Sequence, residues 1–131
     1  YETLENLLFN WVPVREKVMV YAAKTQLNRL FTNLLQNAFE ACHEMPRCVI
    51  SVSEELREDH ILIKISDNGE GIPEQMQSKI FMPNFTTKSS GTGLGLAMSK
   101  TIVKQAKGKI WFETSVGNGT TFFVELPLDR S

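Results

Sequence analysis

Apolar and polar residues follow two different periods along this chain. Between Thr25 and Glu44, Leu27, Leu30, Phe31, Leu34, Leu35, Ala38 and Ala41 recur at spacings of three and four. That pattern predicts a long helix with one buried stripe. Met45-Pro46 ends it, because the residue before a proline is pushed out of the helical region. Cys48–Glu55 and His60–Asp67 instead alternate apolar with polar residues and are rich in β-branched types, with the charged stretch Leu56–Asp59 between them. They predict an antiparallel strand pair. Lys109–Thr114 and Thr120–Leu126 predict a second pair around a Gly117-Asn118-Gly119 hairpin turn.

The segments between are shorter or less regular. Pro73–Ile80 reads as a short helix with proline near its start. Met82–Thr92 has no periodicity and holds Pro, Asn, Thr, Ser and Gly, which predicts a mobile loop. Helical spacing returns over Gly93–Ala106 through Leu96, Ile102 and Val103. At the amino end, Leu4, Leu7 and Leu8 suggest a short apolar helix within Tyr1–Trp11, limited by Pro13, and Val18 and Val20 suit a short strand. The order is helix, two strands, helix, loop, helix, two strands. That is an α+β domain, one sheet with helices on one face.

Composition narrows the class. The chain has 131 residues, enough for one domain with a single core. Its net charge is −1, so no basic surface points to nucleic acid or anionic lipid. No apolar run approaches the roughly 20 residues of a membrane span. Nothing at the amino end reads as a signal peptide, and a start at Tyr1 is the expectation for a piece of a longer protein. Cys42 and Cys48 are too few for a disulfide framework. They read as small buried apolar residues of a reduced, cytoplasmic protein, with a disulfide between them as the lesser alternative.

Three stretches carry chemistry, each with an ordinary alternative. Asn33 and Asn37 are four apart and share a helix face distinct from the leucine stripe. An amide oxygen is a hard, neutral ligand suited to Mg²⁺, but the pair alone reads first as two solvated asparagines. Asp67-Asn68-Gly69-Glu70-Gly71 follows a strand. Its carboxylate can accept a hydrogen bond from the amino group of a base, and its glycines let backbone approach a flat ligand. Alone it is at least as readily an Asp-Asn-Gly turn. Gly91-Thr92-Gly93-Leu94-Gly95-Leu96 opens a helix after a loop, where free N–H groups and the helix dipole attract phosphate and Lys88 adds a charge. It fits neither the dinucleotide fingerprint nor the P-loop, and a hinge plus helix start is the plain alternative.

Taken together, the stretches are less ordinary. Asn33–Ala38, Asp67–Gly71, Phe81–Lys88, Gly91–Gly95 and Gly117–Thr120 occur in that order. The sequence resembles the catalytic domain of bacterial sensor histidine kinases, within the class of gyrase, heat-shock chaperone and MutL ATPases. The five stretches look like that family's N, G1, F, G2 and G3 boxes, over about Val18–Pro127. The wording Asn-Ala-Phe-Glu-Ala and Phe-Thr-Thr-Lys is most similar to the nitrogen-regulation branch.

The resemblance implies a two-layer sandwich of the Bergerat type, with a mixed sheet on about three helices and a lid loop over ATP. Residues 18–131 would form the ATP-binding domain, and residues 1–17 match too poorly to assign, as a linker or the end of a preceding region. Asp67 would hold the adenine amino group, with Gly69, Gly71 and Ile72 beside it and Thr120 near it. Asn37 would bind Mg²⁺ with Asn33 close to the metal and phosphates. Thr87, Lys88, Gly91, Thr92 and the backbone of Gly93, Leu94, Gly95 and Leu96 would meet the phosphates. Residues 82–92 would be the lid, anchored by Phe81 and Phe85. Asn33 and Lys88 would serve the transfer of the γ-phosphoryl group. The acceptor histidine would lie on a separate dimerisation domain of the same kinase, with a response regulator downstream, and this domain would contact neither nucleic acid nor membrane.

Three departures stand out. The acceptor motif is missing: the only histidines are His43, which reads as a capping or surface residue, and His60. Ala23 stands where relatives usually have Asp, and Asn84 where many have Phe. Two alternatives remain in view. Gyrase-class ATPases usually carry a Glu at the position of Asn33 as base for water, a proton Asn cannot take, and they generally lack the F box. A non-catalytic nucleotide-sensing module should have lost the equivalent of Asp67 or Asn37.

Overall fold

The computed structural model describes residues 7–13, 19, 20, 22–83 and 92–129, with side chains in the last segment from Leu96 onward. Its elements in chain order are β1 (Leu7–Val12), α1 (Lys24–Cys42), β2 (Cys48–Leu56), β3 (His60–Asp67), α2 (Glu74–Gln77), α3 (Thr92–Gln105), β4 (Lys109–Ser115) and β5 (Gly119–Pro127). The five strands form one sheet in the order β1-β2-β3-β5-β4. β1 runs parallel to β2 and the other pairs are antiparallel, so the sheet is mixed, and helices α1 and α3 cover one face. This is the α+β, two-layer arrangement expected.

The alternation in the sequence explains the sheet. Ile61, Ile63 and Ile65 of β3 are buried, as are Phe122, Val124 and Leu126 of β5. The register pairs them directly, Ile61 with Leu126, Ile63 with Val124 and Ile65 with Phe122. A one-residue slip of either strand would turn its three to solvent, so burial fixes the pairing. From α1, Leu30, Leu34, Ala38 and Cys42 pack onto this face at i+4 spacing. Ala23 is the N-cap residue in extended conformation, and no side chain caps the helix there. Thr25 lies inside the first turn. At the other end His43 N–H donates to Phe39 O.

Two expectations are corrected. Residues 7–12 form an edge strand, not part of a helix. Leu7, Phe9 and Trp11 pair with Cys48, Ile50 and Val52, and the indole N–H of Trp11 donates to Glu54 Oε2 at 2.8 Å. A short apolar run suits either period, and the free edge of β2 decides it. Val20 makes only an isolated bridge with Leu128, and Val18 lies outside the described residues.

The second correction concerns Cys42 and Cys48, which are joined in a disulfide. They are buried as expected but are not free thiols. Cys42 ends α1 and Cys48 begins β2, and the turn between them brings their Cα atoms to 5.1 Å, within bonding range for cystine. Counting cysteines rules out a framework of many bridges but is silent on one local bridge where the chain doubles back.

Candidate functional site

The cleft lies where the carboxyl end of β3 meets the start of β5. Asp67 is the last residue of β3 and faces Thr120 in the ladder. The cleft has a volume of about 370 Å³, in the range of small-molecule sites. Asn37 and Ala41 of α1 line it, with Asp67, Glu70, Gly71, Ile72 and Pro73 of the loop after β3, Met76 and Ile80, Leu96 of α3, Val116 of the hairpin, and Thr120 and Phe122 of β5. Most of this wall is apolar, and a few polar groups converge on it.

Asp67 is the central polar group. Its Oδ1 accepts the N–H of Gly69 at 2.8 Å, and the backbone N–H of Thr120 also donates to the carboxylate. Burial nevertheless raises its pKa above the ordinary 3.8, because desolvation outweighs the two N–H groups that favour the ionised form. A half-buried carboxylate, with lone pairs beyond the two that these N–H groups take, is a natural partner for a ligand amine.

The loop that follows Asp67 is fastened on three sides. Asn68 accepts from Val49 N–H through Oδ1 and donates through Nδ2 to Arg47 O, both at 2.8 Å. Gly117 N–H donates to Glu70 O at 2.9 Å, and Gln77 Nε2 donates to Ile72 O at 3.0 Å. Gly69 packs directly on α1, where a Cβ would collide with the carbonyl and Cβ of Ala41. Gly71 has φ +81, and a Cβ there would come 2.6 Å from Ser115 O. Its place in the cleft wall therefore needs glycine on both conformational and steric grounds.

The predicted residues divide as follows. Asn37, Asp67, Gly71, Ile72, Leu96 and Thr120 come together around the cleft. Asn33 is half-buried one turn before Asn37 and is not in the cleft wall. Gly69 sits beside the cleft, against α1, rather than in its lining. Thr92, Gly93, Leu94 and Gly95 form the first turn of α3. Phe85, Thr87, Lys88 and Gly91, and most of the expected lid, lie outside the described residues. Phe81 packs against Phe112 and Phe122 with ring centroids 6.0 and 6.4 Å apart, which fits an anchor in the core.

Pattern alone misses the apolar walls. It assigns Ala41 to the buried stripe, yet Ala41 lies four residues after Asn37 and the spacing puts both on one face. Met76 and Ile80 show the same spacing. Neither histidine lines the cleft. His43 is exposed and stacks on Phe39 at 5.0 Å. His60 sits between Asp59 and Glu125, at the opposite end of β3 from Asp67. No group of three or more His, Cys, Asp or Glu able to hold a metal occurs among the described residues. The cleft offers the neutral amide of Asn37 instead, which fits a hard cation that brings oxygen ligands of its own.

Residues 22–130 match the family model described as histidine kinase-, DNA gyrase B- and HSP90-like ATPase. The chain is 36% identical over 112 residues to sporulation kinase E of Bacillus subtilis, covering 86% of this chain and 15% of that protein. It is 39% identical over 114 residues to cyanobacterial phytochrome A of a Nostoc species, covering 83% of this chain and 15% of the other. The chain thus spans only a small part of these curated relatives. Among solved structures, the catalytic domain of histidine kinase ThkA superposes with a TM-score of 0.80 at 35% identity, over 93% of this chain and 79% of that one. The same kinase in complex with response regulator protein TrrA gives 0.76 at 33% identity, over 95% and 35% of the respective chains. A fold, a cleft and a match that extends through all the described elements after β1 agree: the chain belongs to the histidine kinase-, gyrase- and HSP90-like ATPase family and is similar throughout to the catalytic domains of its histidine kinases.

Proposed function

We propose that this domain binds Mg-ATP and donates the γ-phosphoryl group to a histidine on a separate dimerisation domain of the same kinase, for relay to a response regulator. The observation that carries the reading is the half-buried Asp67 carboxylate facing an apolar-walled cleft that Asn37 also lines. Asp67 accepts the adenine amino group, and Gly71, Ile72 and Met76 flank the base. Asn37 offers its amide oxygen to Mg²⁺, with Asn33 one turn away near the phosphates. When bound, the metal neutralises phosphate charge. The backbone amides from Thr92 to Leu96 and the side chains of Thr87 and Lys88 cradle the phosphates.

In the reaction, an imidazole nitrogen of the other domain attacks the γ-phosphorus. A P–N bond forms, the P–O bond to ADP breaks, and the imidazole proton passes to a base outside this chain. The domain's own contribution is position and charge, as phosphoryl transfer requires. Asn33 supports transfer over hydrolysis, since an amide cannot take a proton from water. ATP as donor puts the domain in the cytoplasm. No described helix is long and apolar enough to cross a membrane.

Nucleotide affinity measured with and without Mg²⁺ tests the reading. ATP should bind more tightly with the metal, and Asn37→Ala should weaken Mg-ATP far more than metal-free ADP. Equal losses for both would make Asn37 a pocket residue, and no ATP binding by the unaltered chain would remove the proposal.

A further inference from the structure

Thr114 lies outside the cleft wall, yet its hydroxyl joins three groups that shape it. Ile72 N–H donates to Thr114 Oγ1 at 2.9 Å. Thr114 Oγ1 donates to Gly119 O at 3.1 Å, and it lies 2.8 Å from Thr120 Oγ1. A hydroxyl has one hydrogen and two lone pairs. The Ile72 N–H takes one lone pair. Gly119 O only accepts, so the hydrogen of Thr114 goes there. All three contacts are satisfied together only if Thr120 donates its hydroxyl hydrogen into the second lone pair.

Thr120 is 5% exposed and lines the cleft beside Asp67. With its hydrogen committed to Thr114, it presents only lone pairs to a ligand. The ionised Asp67 presents only acceptors too, and the nearby Ile72 N–H is already spent on Thr114. The two polar side chains at this end, Asp67 and Thr120, therefore both offer acceptors, and a ligand group that faces them meets them well only with hydrogens to give.

We infer that Thr114 is a positioning residue for base selectivity: by locking the Thr120 hydroxyl as an acceptor, it makes the cleft accept a base bearing an exocyclic amino group and reject one bearing a carbonyl at that position. The inference rests on the ATP reading above and adds a selectivity device outside the lining residues. A site whose buried polar groups are committed in one direction discriminates strongly against a ligand that leaves them unpaired.

The test compares ATP with inosine triphosphate, in which a carbonyl replaces the amino group and N1 gains a hydrogen, using calorimetry on this chain. The unaltered chain should prefer ATP. Thr114→Val frees the Thr120 hydroxyl to turn and donate to the carbonyl. The preference should then shrink by about tenfold, the scale of one neutral hydrogen bond, while Thr114→Ser should keep it. Thr120→Val, which removes the lone pairs themselves, should also shrink the preference, and it decides the matter if Thr114→Val does not fold. A role confined to holding the loop would weaken both nucleotides equally in Thr114→Val, and that result overturns the inference. An unchanged preference in Thr120→Val overturns it as well. A chain that binds neither nucleotide unaltered would overturn the ATP reading beneath it, and this is distinct from a preference that ignores Thr114.

Discussion

Asp67→Asn separates the function of this carboxylate from its effect on the fold. The asparagine oxygen can still accept the Gly69 N–H that Oδ1 now accepts at 2.8 Å. The amide nitrogen, however, offers hydrogens where a ligand amine also offers hydrogens. The charge-assisted hydrogen bond lost is worth roughly 1.5–3 kcal/mol, a fall in affinity of about 10- to 150-fold. Calorimetry with ADP reads this directly.

The same substitution has a pH signature without nucleotide. Burial raises the folded-state pKa of Asp67 above 3.8, so the folded chain holds this proton to higher pH than the unfolded chain does. Its contribution to stability is present in full below the unfolded pKa and is lost as pH rises through the folded one. The asparagine variant carries no such dependence at this position. Its stability relative to the parent should therefore improve from acid pH up to neutral, on top of any constant offset from the altered hydrogen bond with Thr120. Binding of an amine favours ionised Asp67, so the parent's ADP affinity should fall as pH drops through the raised value. Near-native ADP affinity in the variant, or stability curves with the same pH dependence, would refute the reasoning.

Two further outcomes follow from the fold. Ala23→Asp should stabilise the domain by about 1 kcal/mol, because Ala23 occupies an extended N-cap position with no side-chain cap and no acidic residue follows in the first turn; an unmoved melting temperature would show that the helix start is satisfied otherwise. The Cys42–Cys48 bridge closes a short loop with a sequence separation of 6, so Cys42→Ala with Cys48→Ala should cost about 2 kcal/mol by loop entropy; denaturation that is the same with and without the bridge would contradict this.

How much is legible in the sequence depends on whether a residue's neighbours are local. The α1 stripe and the alternation of Ile61, Ile63 and Ile65 declare buried faces by themselves, so the helix and the central strands can be read directly. Leu7–Val12 cannot be, because its conformation is set by the edge of β2, some forty residues later in the chain. Asp67 and Asn37 are legible through the boxes they sit in. Gly69 is legible as part of the same box, but its steric reason is the backbone of α1 at Ala41, not the ligand. Thr114 gives no signal at all. It alternates like any strand residue, and only the fold shows its hydroxyl shared among Ile72, Gly119 and Thr120. The Cys42–Cys48 bridge is hidden for the same reason, since it depends on where a turn returns the chain.

The central claim is that this domain supplies the phosphoryl group and another domain supplies the histidine. His43 follows Asn37 by six residues, at the end of α1, which puts it about 9 Å along the axis from the proposed metal ligand. His60 precedes Asp67 by seven residues of strand, over about 20 Å from the proposed adenine contact. Neither should meet a γ-phosphate in line. The direct measurement mixes the chain with γ-labelled ATP and Mg²⁺, alone and then with a helical dimerisation domain bearing an acceptor histidine. Acid-labile label should appear only on the added domain, and slowly, because the two parts are untethered. Label on this chain at His43 or His60, or steady release of free phosphate by the chain alone, would contradict the account.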